Sequence, residues 1–281
     1  MIDHELTLTD SRPARLPRFL REIEELGGEI GFINAVQETL RRDNISVDVV
    51  DGDFEQLQQH EDGILFVGDH KNQWEFVALM DMLARMGRDD MINIAKFYVK
   101  RQIHQALGGA ASRLVAPVYP RLLASDREER ANSELLNRFL YRKFLLTMEE
   151  SAEVNEQVLG MASERLDEGG IVNIFPTGSV VDARTHEWRA GVGRIIRDVP
   201  DERKPDILVA SYAMRDASRM RLVGAVAARG WGIFGRPQSM EVSLGPLVTA
   251  SDVVESLPVS LQRDPDAITE QLRRDFLTNF N

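Results

Sequence analysis

Cysteine is absent from all 281 residues, so disulfides, thiolate zinc sites, iron–sulfur clusters and a cysteine nucleophile are excluded. Positive charge is in deficit: 34 Lys and Arg face 45 Asp and Glu, for a formal net charge of −11. That balance argues against a nucleic-acid partner, which needs a basic face to displace phosphate counterions. It also repels an anionic membrane unless positive charge is gathered locally. Long apolar runs are missing as well; stretches such as Leu222 to Ala228 fall far short of the ~20 residues that span a bilayer. The opening MIDHELTLTDSRP is acidic and polar, unlike a secretory signal. Internal repeats and low-complexity linkers are absent too. With 43% hydrophobic and 28% charged residues, the composition is that of an ordinary globular chain. A cytoplasmic enzyme is the expectation.

Apolar patterning predicts an N-terminal helical segment over residues 1–44, as a hairpin of helices from about Pro13 to Leu26 and Ile30 to Arg42. An α/β unit over 45–281 follows. Ile45 to Val50 alternates and is β-branched, and reads as a strand. Ile64 to Val67, Ile171 to Phe175 and Asp206 to Ala213 read as buried strands. Leu114 to Tyr119 and Met240 to Leu244 are β-type, with Val248 beside the latter. Helices are expected over Trp74–Met86, Phe97–Leu107, 126–148 and Ser151–Glu168. Asp264-Pro265 supplies an N-cap and an N1 proline for a last helix. Strands separated by helices imply a mostly parallel central sheet flanked by helices on both faces.

Two strand ends carry the candidate chemistry. The first is Asp69-His70-Lys71-Asn72-Gln73-Trp74-Glu75, directly after the strand at 64–67. Ligands of open α/β sheets bind beyond the carboxyl ends of strands, which is where His70 falls. On one continuous helix His70 and Glu75 would lie about 140° apart. With His70 in the turn before the helix, Glu75 can fold back toward the imidazole, fix its tautomer and leave the other nitrogen as a base. The plain alternative is a surface histidine followed by a glutamate favoured by the helix dipole. The second strand end is Phe175-Pro176-Thr177-Gly178-Ser179, a tight loop whose backbone N–H groups can face an anion, followed by Trp188-Arg189-Ala190-Gly191. Here the alternative is an ordinary strand-to-helix turn.

The two loops, in this order and about a hundred residues apart, resemble the glycerolipid acyltransferase superfamily, which includes lysophosphatidic acid and glycerol-3-phosphate acyltransferases. That family's signature is a His, four residues and an acid after a strand, matched by His70 and Glu75. Its later Phe-Pro-Glu-Gly-Thr block is matched by Phe175 to Ser179. The resemblance covers roughly residues 45–250. It departs in three places. Glu75 stands where Asp is commoner, as in lipid A late acyltransferases. Thr177 replaces the Glu of the later block, and Val180 replaces its following Arg. The last two positions help hold an acceptor phosphate, so the acceptor stays open. The family's intermediate basic block is echoed by Lys96, Lys100, Arg101 and Arg121.

The resemblance implies transfer of a fatty acyl group from acyl-CoA or acyl-carrier protein to a hydroxyl of a glycerolipid-type acceptor, lysophosphatidate-like or glycerol 3-phosphate-like. His70 would be the general base and Glu75 its orienter. Substrate-binding roles would fall to Lys96, Lys100, Arg101, Arg121, Pro176, Thr177, Gly178, Ser179 and Arg189. No metal, no cofactor and no covalent acyl-enzyme is implied, and the oxyanion would be met by backbone N–H groups near Gly178 or by another loop donor. A basic amphipathic strip with Arg15, Arg18 and Arg21, and a loop with Trp231 and Phe234, are expected to touch the inner face of a membrane peripherally. A solvated face and core packing are the competing accounts of those two features.

Gly230-Trp231-Gly232-Ile233-Phe234-Gly235 fits G-x-G-x-x-G, but Arg236-Pro237 follows where a helix should start, so no dinucleotide site is expected. No G-x-S-x-G elbow surrounds Ser179, and His4, His60, His104 and His186 lack ligand spacing. Two other classes stay in view: a lapsed relative that binds lipid or acyl carrier, and a His-dependent esterase or thioesterase.

Overall fold

The computed structural model describes residues 25–27, 29–43, 45–70, 74–96, 115–118, 148–178, 183–215 and 239–280. Of the expected hairpin, the second helix is present as α1 (Phe32–Asp43), while nearly all of the first lies outside the described residues. The chain continues through β1 (Ser46–Asp51), α2 (Phe54–Gln59), β2 (Ile64–Gly68), α3 (Trp74–Met86), β3 (Met91–Lys96) and β4 (Val115–Val118). Next come α4 (Met148–Asp167), β5 (Ile171–Ile174), α5 (Gly191–Asp198), β6 (Leu208–Met214) and β7 (Ser239–Leu244). A two-residue β8 (Val248–Thr249), α6 (Ala250–Glu255) and α7 (Pro265–Phe280) complete the order.

The sheet runs β1-β7-β6-β2-β5-β3-β4, with β8 against β6. All neighbours from β6 to β4 are parallel, and β1 is parallel to β7. The one reversal on this path is β6 against β7. The fold is therefore α/β with a mostly parallel sheet.

Alternation along each strand distributes the side chains between two cores. Ile64 and Phe66 of β2 join Ile171 of β5 and Ala210, Tyr212 and Met214 of β6 beneath α1, α2 and α3. Leu65 and Val67 join Val172, Ile174 and Val209 beneath α4, α5, α6 and α7. This two-sided burial explains the continuous apolar runs of β2 and β5. Residues 97–107 and 126–148, read as helical from sequence, lie outside the described residues.

Local capping fixes the shorter elements. Asp53 accepts from the Gln56 N–H at 2.8 Å and starts α2, a six-residue helix that apolar periodicity does not reveal. Thr249 and Asp252 form a reciprocal capping box at α6. Asp264 accepts from the Asp266 N–H at 3.0 Å ahead of Pro265, the start anticipated for α7.

The carboxyl end of β2 is set by one close approach. Gly68 is paired with Tyr212 across β2 and β6, and the Tyr212 ring lies over it. A Cβ at Gly68 would fall 2.5 Å from Tyr212 Cζ. Gly68→Ala must displace a fully buried ring and is expected to cost about 2 kcal/mol, read as a lower urea midpoint at unchanged slope. An unaltered midpoint would show that the ring yields without cost.

Candidate active site

Because β2 and β5 are adjacent parallel strands, with Val67 in register with Ile174, the two motif loops leave the sheet side by side. His70 follows β2, and Glu75 lies in the first turn of α3. The imidazole is about one-fifth exposed and the Glu75 side chain 1% exposed, with His70 Nδ1 at 3.5 Å from Glu75 Oε2. The fold-back that spacing allowed is therefore present. The contact is at ion-pair distance rather than a formed hydrogen bond, and Nδ1 itself is shut away from solvent. Catalytic hydrogen bonds often tighten only when substrate is bound. Burial of Nδ1 leaves Nε2 as the ring nitrogen that can meet a substrate.

Phe175, the first residue of the second loop, stacks on His70 with centroids 4.2 Å apart and planes at 22°. One motif thus supplies the imidazole and the other the wall against which it rests. Pro176 and Thr177 are buried, and Gly178 turns the chain at φ +62°. The Gly178 N–H donates to the Phe175 carbonyl at 2.8 Å. It is engaged within its own turn, so of the expected oxyanion donors, amides near Gly178 or another loop donor, this one is already satisfied.

Arg189 is brought to the same loop. Its N–H donates to the Pro176 carbonyl at 2.9 Å, and its Nε lies 3.3 Å from where a Cβ on Gly178 would be. Lys96 ends β3, with its backbone in register with Val118 of β4. Lys100, Arg101, Arg121, Ser179 and Val180 lie outside the described residues, as do Arg15, Arg18, Arg21, Trp231 and Phe234.

Sequence reading missed a polar chain beneath the loops. Tyr212 Oη donates to Asn173 Oδ1 at 3.1 Å, and Asn173 Nδ2 donates to Asn93 Oδ1 at 2.6 Å. All three side chains are buried, and they link β6, β5 and β3 across the sheet. The available signal was an asparagine in each of two apolar runs, Ile92-Asn93-Ile94 and Val172-Asn173-Ile174. Asp69 was also passed over. It is buried, and its Oδ1 accepts from the Ala183 N–H at 2.9 Å.

Asp69 also borders a crevice of about 540 Å³ that includes Asp51, Arg184, Arg215, Ser243 and Phe280. Its cations are already engaged by the lining. Arg215 pairs with Asp51 and donates to Ser243 at 3.0 Å, and Arg184 donates to the Phe280 carbonyl at 3.3 Å. This is a charge-balanced crevice rather than a phosphate cradle.

No protein-family model and no curated protein matches this chain. Among the described residues, no group of three or more acidic, histidine or cysteine side chains is placed to hold a metal ion. No described helix is long and apolar enough to cross a membrane.

Burial, followed by the negative charge of Glu75, raises the Tyr212 phenol well above its ordinary 10.0, against the opposing hydrogen bond to Asn173. An unfolded tyrosine would release its proton near the ordinary value while the folded one keeps it. The stabilisation is thus complete below pH 10 and is lost as pH rises beyond it. Tyr212→Phe is expected to cost about 1–2 kcal/mol near neutrality, by orphaning the Asn173 acceptor. Its stability should also fall less steeply than the parent's between pH 9 and 11 (roughly one unit either side of the ordinary value) in urea titrations. Parallel pH curves would contradict this.

Proposed function

We propose that the chain is an O-acyltransferase that moves a fatty acyl group from a thioester donor to a hydroxyl acceptor. The observation that carries the reading is the buried Glu75 carboxylate facing His70 Nδ1 at 3.5 Å, beside the loop that brings Arg189 over Gly178. Acyl-CoA or acyl-carrier protein serves as donor, and a glycerolipid-type alcohol as acceptor.

In this mechanism the acceptor oxygen attacks the thioester carbonyl while His70 Nε2 takes the hydroxyl proton. Glu75 orients the ring and stabilises the imidazolium. The negative charge on the former carbonyl oxygen is met by the Arg189 guanidinium, in place of the Gly178 N–H that is engaged in its own turn. Collapse of the tetrahedral intermediate breaks the C–S bond, and His70 returns the proton to the departing thiolate. One proton is borrowed and returned, and no acyl-enzyme forms. A preorganised donor at the oxyanion is typically worth ~3 kcal/mol. General-base catalysis contributes a further ~10²–10⁴-fold.

The chemistry also agrees with Thr177 and Val180 at the places where relatives of the resembled family hold phosphate. Both favour an acceptor that need not carry a phosphate. The reading further places the chain at the inner face of a membrane as a peripheral protein in the cytoplasm, where both substrates are reached from the aqueous side.

The test is incubation with acyl-CoA or acyl-carrier protein and a panel of glycerol-based alcohols, with products identified by mass. An acylated acceptor is expected. Free fatty acid alone would indicate a thioesterase, and bound acyl chains without turnover a lapsed relative; either overturns the transferase reading. His70→Ala should lower kcat by at least about 10²-fold. Glu75→Gln keeps the shape and loses the charge, and should cost less.

A further inference from the structure

We infer that Asp69 is a positioning residue whose carboxylate sets the place of Arg189 by tethering the loop that carries it. The inference rests on the acyl-transfer reading only for its kinetic arm.

Asp69 and His70 are neighbours in sequence but serve different sides of the sheet. Along β2, Leu65 and Val67 face the core under α4 to α7, and Ile64 and Phe66 face the core under α1 to α3. Asp69 continues the first set, and its Oδ1 receives the Ala183 N–H at 2.9 Å. His70 continues the second set, beside Phe175 and Glu75. The tether spans 114 positions of sequence.

Ala183 begins a short bracket that ends at Arg189. Its carbonyl accepts from Trp188 Nε1 at 2.9 Å, and Trp188 packs edge-on against Phe276 of α7, with centroids 5.3 Å apart. Arg189 then donates its N–H to Pro176 at 2.9 Å. The bracket is thus fixed at one end to the residue before His70 and at the other to the second motif loop, with the indole locking its middle. Asp69 is 2% exposed. Its own N–H donates to the Tyr212 carbonyl at 3.1 Å, so the carboxylate projects from a fixed backbone. The Ala183 N–H thus meets a buried acceptor oxygen of fixed reach, and losing that partner would leave a buried donor unsatisfied.

Removal of the carboxylate frees the Ala183 end of the bracket and lets Arg189 drift from Gly178, while His70, Glu75 and Phe175 stay together. Asparagine at 69 keeps an acceptor oxygen at the same reach, so it should restore the geometry where alanine does not.

Hydrogen exchange tests the tether without any assay of activity. In Asp69→Ala, amides of residues 183–189 should exchange about tenfold faster or more, as expected for a lost buried hydrogen bond, while those of β2 and α3 keep their protection. Asp69→Asn should stay within about twofold of the parent. Unchanged protection in Asp69→Ala overturns the tether outright.

Kinetics then test its purpose with acyl-CoA as the varied substrate. Asp69→Ala and Arg189→Ala should each lower kcat/KM, and the double variant should be no worse than Arg189→Ala alone, as coupled residues require. Fully additive losses overturn the link to Arg189. If the parent transfers no acyl group at all while the exchange pattern appears as described, the function proposed above fails and the tether stands.

Discussion

The ring of Tyr212 lying across Gly68 is the constraint on which the rest of the candidate site depends. It leaves no room for a side chain at the last position of β2. It carries a buried hydroxyl that must be hydrogen-bonded, and so recruits Asn173 and, through it, Asn93. The main-chain carbonyl of the same residue accepts from the Asp69 N–H directly beyond the strand. Side chains of β6, β5 and β3 are thereby joined beneath the point where His70 emerges. A loop on such a floor inherits its precision from the sheet, and sites built on rigid elements keep their geometry best.

A buried carboxylate and a partly exposed imidazole share that floor. Glu75 sits in the first turn of α3, where the positive end of the helix favours a negative charge. The adjacent Asp69 is equally buried but holds a backbone N–H instead of a ring. Two acids six residues apart in sequence therefore serve separate purposes, one facing the histidine and one facing the Ala183 loop. What separates them is the backbone beyond β2, which sends Asp69 and His70 to opposite faces, and α3, which brings Glu75 back to the side of the histidine.

Much of this was legible from sequence where the physics is local. Apolar runs at 64–67 and 171–175 announced two-sided burial, and the turn after β2 allowed Glu75 to reach back to His70. Asp264-Pro265 announced α7. The interactions that stayed hidden are those that join distant residues. Tyr212 meets Asn173 across 39 positions, Asn173 meets Asn93 across 80, and Asp69 meets Ala183 across 114. Each depends on strand order and register, which a single sequence does not state. The engaged N–H of Gly178 was hidden for another reason: a glycine-containing loop can aim its amides outward or fold them into its own turn, and only φ and the Phe175 carbonyl decide.

The stacking of Phe175 on His70 has a directional consequence. With one ring face covered by an aromatic wall at 4.2 Å and Nδ1 turned inward, the imidazole is a one-door group. Whatever proton it accepts must enter and leave by the same nitrogen. Two partners exchanging a proton through that nitrogen have to use it in turn, from the same side. Under the proposed acyl transfer, traffic at the histidine is thus ordered in time by the burial of Nδ1, and the second motif contributes a wall on the ring face without touching a proton.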